Sequence, residues 1–180
     1  MLFLATHAQR RGTPDPLHTR EGLKMLRSNI VWDTMSIVRQ NKKIKGIFSG
    51  SGGRFRESCL SFRELLAPLE IEYLPIFGTG DSETIDGSGK KIVVTADGDI
   101  IFKKQYRNFY DIKGIDWWRV LQDNFDNSII FTGRAFCKCI GLKSKTCSIY
   151  QVDTDRRLVI AVVESGYWVL RPKRIYPLKI

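Results

Sequence analysis

Histidine is scarce in this chain: only His7 and His18 occur among 180 residues. His7 follows the apolar run Leu2 to Thr6, which reads as a buried strand, so its ring stands at a strand end. A neutral imidazole there can attack phosphorus and carry the phosphoryl group. Arginines around it would hold the phosphate oxygens through paired hydrogen bonds and offset their charge. Three strand ends carry polar residues suited to such a site: Thr6-His7-Ala8-Gln9-Arg10, Ser49-Gly50-Ser51-Gly52-Gly53-Arg54 and Thr132-Gly133-Arg134. In open parallel sheets, ligands bind beyond the carboxyl ends of the strands. The second segment is a glycine-rich turn feeding a helix, where backbone N–H groups and the helix dipole suit an anion. No Gly-Lys-Ser/Thr follows, so it is not a nucleotide P-loop, and the glycine spacing is not that of a dinucleotide fingerprint. The plainer alternatives are a tight connection for the turn and a hydrogen-bonded core histidine for His7.

The elements that must position these residues alternate. A helix is predicted from Thr19 to Gln40, with Leu23, Leu26, Ile30 and Ile37 forming one apolar stripe. Gly46-Ile47-Phe48 reads as a strand, and a second helix carries Phe55, Cys59, Phe62 and Leu66 on one face until Pro68 stops it. Glu70 to Phe77 reads as a third strand. Strand, helix, strand, helix, strand implies a parallel sheet with right-handed crossovers. Residues 78–113 break this rhythm and read as an insertion or flap, with a hairpin over Lys91 to Lys104. A helix over Ile115 to Phe125, a buried strand over Ser128 to Phe131 and a helix over Ala135 to Leu142 follow. Cys147 to Val152 and Leu158 to Val163 alternate as an antiparallel edge hairpin. The expected class is α/β, a three-layer α/β/α domain over 1–166 with a mostly parallel sheet, followed by a basic tail over 167–180.

The order of these motifs resembles the histidine phosphatase superfamily, the phosphoglycerate-mutase-like proteins, especially its short bacterial members. That family's first strand ends in Arg-His-Gly, where this chain has Thr6-His7-Ala8. Its next loop, Asp-x-Pro-Leu-Thr-x-x-Gly, is similar to Asp15-Pro16-Leu17-His18-Thr19-Arg20-Glu21-Gly22 with a one-residue adjustment. Its second strand ends in Ser-Ser-Pro-Leu-x-Arg-Ala-x-x-Thr. Ser49, Arg54 and Ser58 match that run in register. Its late strand ends in Ser/Thr-His-Gly, where this chain has Thr132-Gly133-Arg134.

The resemblance implies that His7 is the nucleophile and that Arg54 and Ser49 belong to a phosphate pocket. It also implies two losses. Thr6 replaces the first arginine and Gly133 replaces the late histidine. Arg10 and Arg134 are the candidates to restore charge from neighbouring positions. Asp81 and Glu83 lie in the stretch that would supply the acid, and read as solvated loop charges. Removing one preorganised donor costs about 10²- to 10³-fold in rate. The expectation is therefore a phosphate-binding pseudoenzyme, with phosphomonoester hydrolysis through His7 impaired or absent. Its partners would be a phosphorylated small molecule or a phosphoprotein, with no cofactor and no metal.

Composition frames the alternative. Lys and Arg number 29 against 19 Asp and Glu, a net charge of +10, which favours an anionic partner. Basic clusters at Arg39 to Lys45, Lys90 to Arg107 and the tail, with Tyr106, Phe109, Tyr110, Trp117 and Trp118 beside the middle one, would suit a nucleic-acid-interacting module. The four cysteines form no Cys-x-x-Cys pair and read as reduced thiols. No apolar run approaches the roughly 20 residues of a membrane span, and no basic leader opens the chain. No membrane association and a cytoplasmic location are the expectations.

Overall fold

The computed structural model describes residues 1–9, 18–41, 43–78, 82–85, 88, 91–94, 100–102 and 115–174. Its elements run β1 (Leu2–Thr6), α1 (Arg20–Leu26), α2 (Asn29–Gln40), β2 (Gly46–Ser49), α3 (Gly53–Leu60), α4 (Arg63–Leu66) and β3 (Ile71–Tyr73). A 3-10 turn over Pro75–Phe77 leads to β4 (Ser82–Ile85), β5 (Lys91–Val94) and β6 (Ile100–Phe102). Then follow α5 (Trp117–Phe125), β7 (Ser128–Thr132), α6 (Arg134–Cys139), β8 (Ile149–Asp153), β9 (Leu158–Glu164) and β10 (Tyr167–Arg174).

Strands β1 and β7 are buried along their whole length, which is why they are apolar runs rather than alternating strands. They lie side by side within a seven-stranded sheet of order β10-β9-β8-β1-β7-β2-β3. β1, β7, β2 and β3 pair in parallel, and β1, β8, β9 and β10 pair antiparallel. Half of the sheet is thus antiparallel, more than the mostly parallel sheet expected. β8–β9 is not the edge, because Tyr167–Arg174, expected to begin a basic tail, pairs with β9 as the outer strand. Residues 175–180 lie outside the described residues. β4, β5 and β6 form a separate antiparallel sheet within 78–113.

Period-two alternation sends neighbouring residues of β1 to opposite sides. Leu2 and Leu4 join Trp118, Leu121, Phe136 and Tyr150 on one face. Phe3 and Ala5 join Leu26, Met35, Cys59 and Phe62 on the other. The first helical region is not continuous. It breaks at Arg27 and Ser28, where serine followed by asparagine favours a cap over a helix interior. The break resets the helical phase. The buried face of α2 becomes Val31, Thr34, Met35 and Val38, and Ile37, expected in the stripe, is 61% exposed.

Candidate functional site

The parallel pairing of β1 with β7 and of β7 with β2 brings three strand ends to one edge. The backbone there is tied tightly. The His7 amide donates to the Thr132 carbonyl at 3.3 Å, and the Gly50 amide donates to Phe131 at 3.0 Å. The Cys147 amide donates to His7 at 3.0 Å. His7 is half-buried, and its Nδ1 lies 2.7 Å from the Ala8 carbonyl oxygen. A carbonyl only accepts, so Nδ1 carries the proton and the lone pair of the neutral ring sits on Nε2. That is the tautomer a nitrogen nucleophile needs.

Phe55, on the first turn of α3, occupies the centre of this edge and is 1% exposed. His7 meets its ring edge-on with centroids 5.5 Å apart. The Arg54 guanidinium lies over the same ring, 4.5 Å from its centroid. Three glycines let the ring in. A Cβ at Gly50, Gly78 or Gly133 would stand 2.7, 2.3 or 2.9 Å from its atoms. Gly78 also has φ of +137°, a conformation that side chains rarely adopt. Thr132 donates its hydroxyl to the Phe77 carbonyl at 2.6 Å, which fixes the approach of Gly78.

Residue 133 therefore lies beside His7, at 3.4 Å from its Cδ2 to an ideal Cβ. The space a side chain there would enter holds the Phe55 ring. Thr6 does not face this site chemically. Its buried hydroxyl donates to the Lys145 carbonyl at 2.6 Å and accepts from the Ser148 amide at 3.0 Å. Thr6, placed by the sequence reading in the phosphate pocket where the family has an arginine, pins the 145–148 loop through this hydroxyl. Ser49 is fully buried and donates to the Gly50 carbonyl at 3.0 Å. Its hydroxyl closes the turn rather than reaching toward an anion. Arg134 is exposed on the first turn of α6. Arg10 and Asp81 lie outside the described residues, as does the side chain of Glu83.

His18, Glu57 and Ser58 complete the cluster, and the sequence reading assigned them no role. His18 Nδ1 lies 2.8 Å from the Glu57 carboxylate, and its Nε2 lies 3.2 Å from Ser58 Oγ. The backbone amide of His18 donates to the same Glu57 oxygen at 2.8 Å. The His18 and His7 rings are 6.1 Å apart. Hydroxyl, imidazole and carboxylate stand in the order of a hydrolase relay. Ser58 and His18 are 1% and 0% exposed, so an acyl substrate has no approach to Oγ. The arrangement acts as a clasp, joining the start of α1 to α3. Burial holds the His18 pKa below the usual histidine value. Glu57 pulls it back up, and Arg54 adds to the lowering. Glu57 and Ser58 follow Arg54 at i+3 and i+4, which places them on one side of α3. That spacing was readable, whereas the contact with His18 was not.

Of the aromatics expected beside the middle basic cluster, only Trp117 and Trp118 fall among the described residues. Trp117 and Trp118 are buried in the core beside Phe136 and Leu121, and residues 103–114 lie outside the described residues. An acid-lined cleft of about 400 Å³, formed by Met1, Asp126, Asp153 and Asp155, lies at the opposite edge of the sheet. Its charge suits no anion. Among the described residues no cluster of three His, Cys, Asp or Glu side chains could hold a metal ion, and no helix is long and apolar enough to cross a membrane. No protein-family model matches the chain, and no curated protein matches it.

Proposed function

We propose that this chain is a three-layer α/β domain of the histidine phosphatase type. In this reading it binds a phosphate-bearing small molecule or phosphoprotein near His7 and turns it over poorly. One observation carries the reading: His7 and Arg54 both lie against the Phe55 ring at the carboxyl edge of the parallel strands. A nucleophilic imidazole and a guanidinium that can reach the same anion are the minimum a phosphoryl site requires. The same ring supports the impairment. It fills the space beside Gly133, which itself offers no side-chain donor to an equatorial phosphate oxygen. The Thr6 hydroxyl is engaged elsewhere. Phosphoryl transfer depends on positioning and charge stabilisation, so a site lacking two such partners turns over slowly. The helix dipole at the start of α3 and the Arg54 guanidinium supply the attraction for the anion.

The test is a titration of inorganic phosphate, followed through the His7 ring resonances, alongside hydrolysis of p-nitrophenyl phosphate. Arg54→Ala should weaken phosphate binding at least tenfold, and Lys43→Ala, at an exposed site on another loop, should leave it unchanged. Turnover should stay well below about 1 s⁻¹, the low end for ordinary enzymes. Equal weakening by both substitutions would mean diffuse charge alone and overturn the site. Turnover within the ordinary range would overturn the impairment.

A further inference from the structure

β10 is the outer strand of the large sheet, and among the described residues it pairs with β9 alone. An outer strand offers a row of backbone N–H and C=O groups to any extended chain. One half of β10 is guarded: the run Arg171-Pro172-Lys173-Arg174 carries charges and a residue without an N–H, the features that commonly blunt sheet edges. The other half is not. Tyr167, Trp168 and Leu170 are 67%, 52% and 76% exposed. Residues paired directly across two strands share a face. Tyr167 is opposite Glu164 and Trp168 opposite Val163, so the two rings flank the edge from opposite faces. The pairing register then shifts before Arg171, which separates the apolar half from the basic half.

We propose that β10 is a docking edge for an extended acidic segment of a partner protein, which adds to the sheet as an eighth strand. This surface is independent of the His7 site. Charge selects the occupant. A second copy pairing antiparallel through its own β10 would set its apolar half against Arg171 and Arg174 and supply no carboxylate to either guanidinium. A nucleic acid matches the charge but has no amide and carbonyl row to continue the ladder. Tyr167 and Trp168, on opposite faces, give it no shared stacking platform. An acidic strand satisfies both features. Its backbone extends the ladder, its apolar side chains meet Tyr167 and Trp168, and its carboxylates meet Arg171 and Arg174.

The test uses the full chain and an eight-residue peptide with one half of four Val and one half of four Glu, in both orders so that either strand direction is offered, since Tyr167 and Trp168, and likewise Arg171 and Arg174, lie on opposite faces. Binding is read by Trp fluorescence, assigned with Trp168→Phe, and by hydrogen exchange at the β10 amides. The peptide should bind, slow exchange along β10, and lose at least tenfold in affinity with Arg171→Glu plus Arg174→Glu. That charge-reversed variant should instead prefer a Lys and Val peptide. A version N-methylated on alternate amides should not bind. The proposal is overturned if millimolar Glu and Val peptide leaves β10 exchange unchanged, or if the Lys and Val peptide binds the unaltered chain equally well. It is also overturned if the N-methylated peptide binds like its parent, if an oligothymidine binds at β10 more tightly than the peptide, or if the free chain dimerises through β10.

Discussion

Gly133→Ala isolates the close packing at the centre of the candidate site. The backbone at 133 has φ of −128° and ψ of 178°, which alanine adopts without strain. Fewer unfolded conformations would then favour the substitution by about 0.4–1 kcal/mol. Against this stands the Phe55 ring. The new Cβ would sit 2.9 and 3.1 Å from two ring carbons and 3.4 Å from His7 Cδ2. Neither can retreat easily, because Gly50 and Gly78 hold the ring from its other sides. Overpacking of this kind costs about 1–3 kcal/mol. The packing effect exceeds the entropic one, so Gly133→Ala should destabilise by about 1–2 kcal/mol. The two clashing atoms are outer ring carbons, and leucine has neither. In a Phe55→Leu background, itself destabilised, Gly133→Ala should become neutral or stabilising. Urea unfolding of the four proteins at constant slope gives the coupling directly. A Gly133→Ala effect that agrees within about 0.5 kcal/mol in both backgrounds would refute the packing argument. The same geometry predicts that a histidine placed at 133 is not accommodated until Phe55 is reduced.

Stability should fall as pH drops below about 6.5, the ordinary histidine value. The folded pKa of His18 is lowered, so in that range the unfolded chain binds a proton that the folded chain refuses, and stability rises with pH. The contribution reaches about 1.4 kcal/mol per pH unit and flattens once folded His18 protonates; urea midpoints at pH 5.5 and 7.5 that respond alike in the parent and in His18→Gln would refute it. Thr6→Val should cost about 1–3 kcal/mol by leaving the Ser148 amide and the Lys145 carbonyl without their partner, and a thermal melt equal to that of the parent would contradict this. Thr6→Arg should unfold the 145–148 loop rather than create phosphatase activity. Burial pushes the Cys59, Cys137 and Cys147 thiols up to about 12, whereas Cys139 is partly exposed. A thiol reagent on the native chain should therefore label Cys139 first, as peptide mass mapping can show.

The sequence by itself determined the local elements of the parallel half of the sheet. Residues 2–5 and 129–131 are short apolar runs ended by polar residues, too short for a helix of ordinary length and therefore read as buried strands. Phe55, Cys59, Phe62 and Leu66 recur at a helical spacing and are buried together, because periodicity is a local property. The placement of His7 at a strand end was legible for the same reason. What lay between the strand ends was not. The glycines at 50, 78 and 133 are far apart in the chain, and only the folded sheet shows that they enclose one aromatic ring. The Phe55 side chain looked like one more core residue of a helix face. Its role depends on three glycines at which a Cβ would stand less than 3 Å from the ring, and no local pattern encodes that. The contact of His18 with Glu57 spans 39 residues, and the hydroxyl of Thr6 is satisfied by partners 139 and 142 residues away. Short-range periodicity reports which face of an element is apolar. Which buried group occupies a given volume is decided by long-range packing, where the shape of every neighbour counts at once.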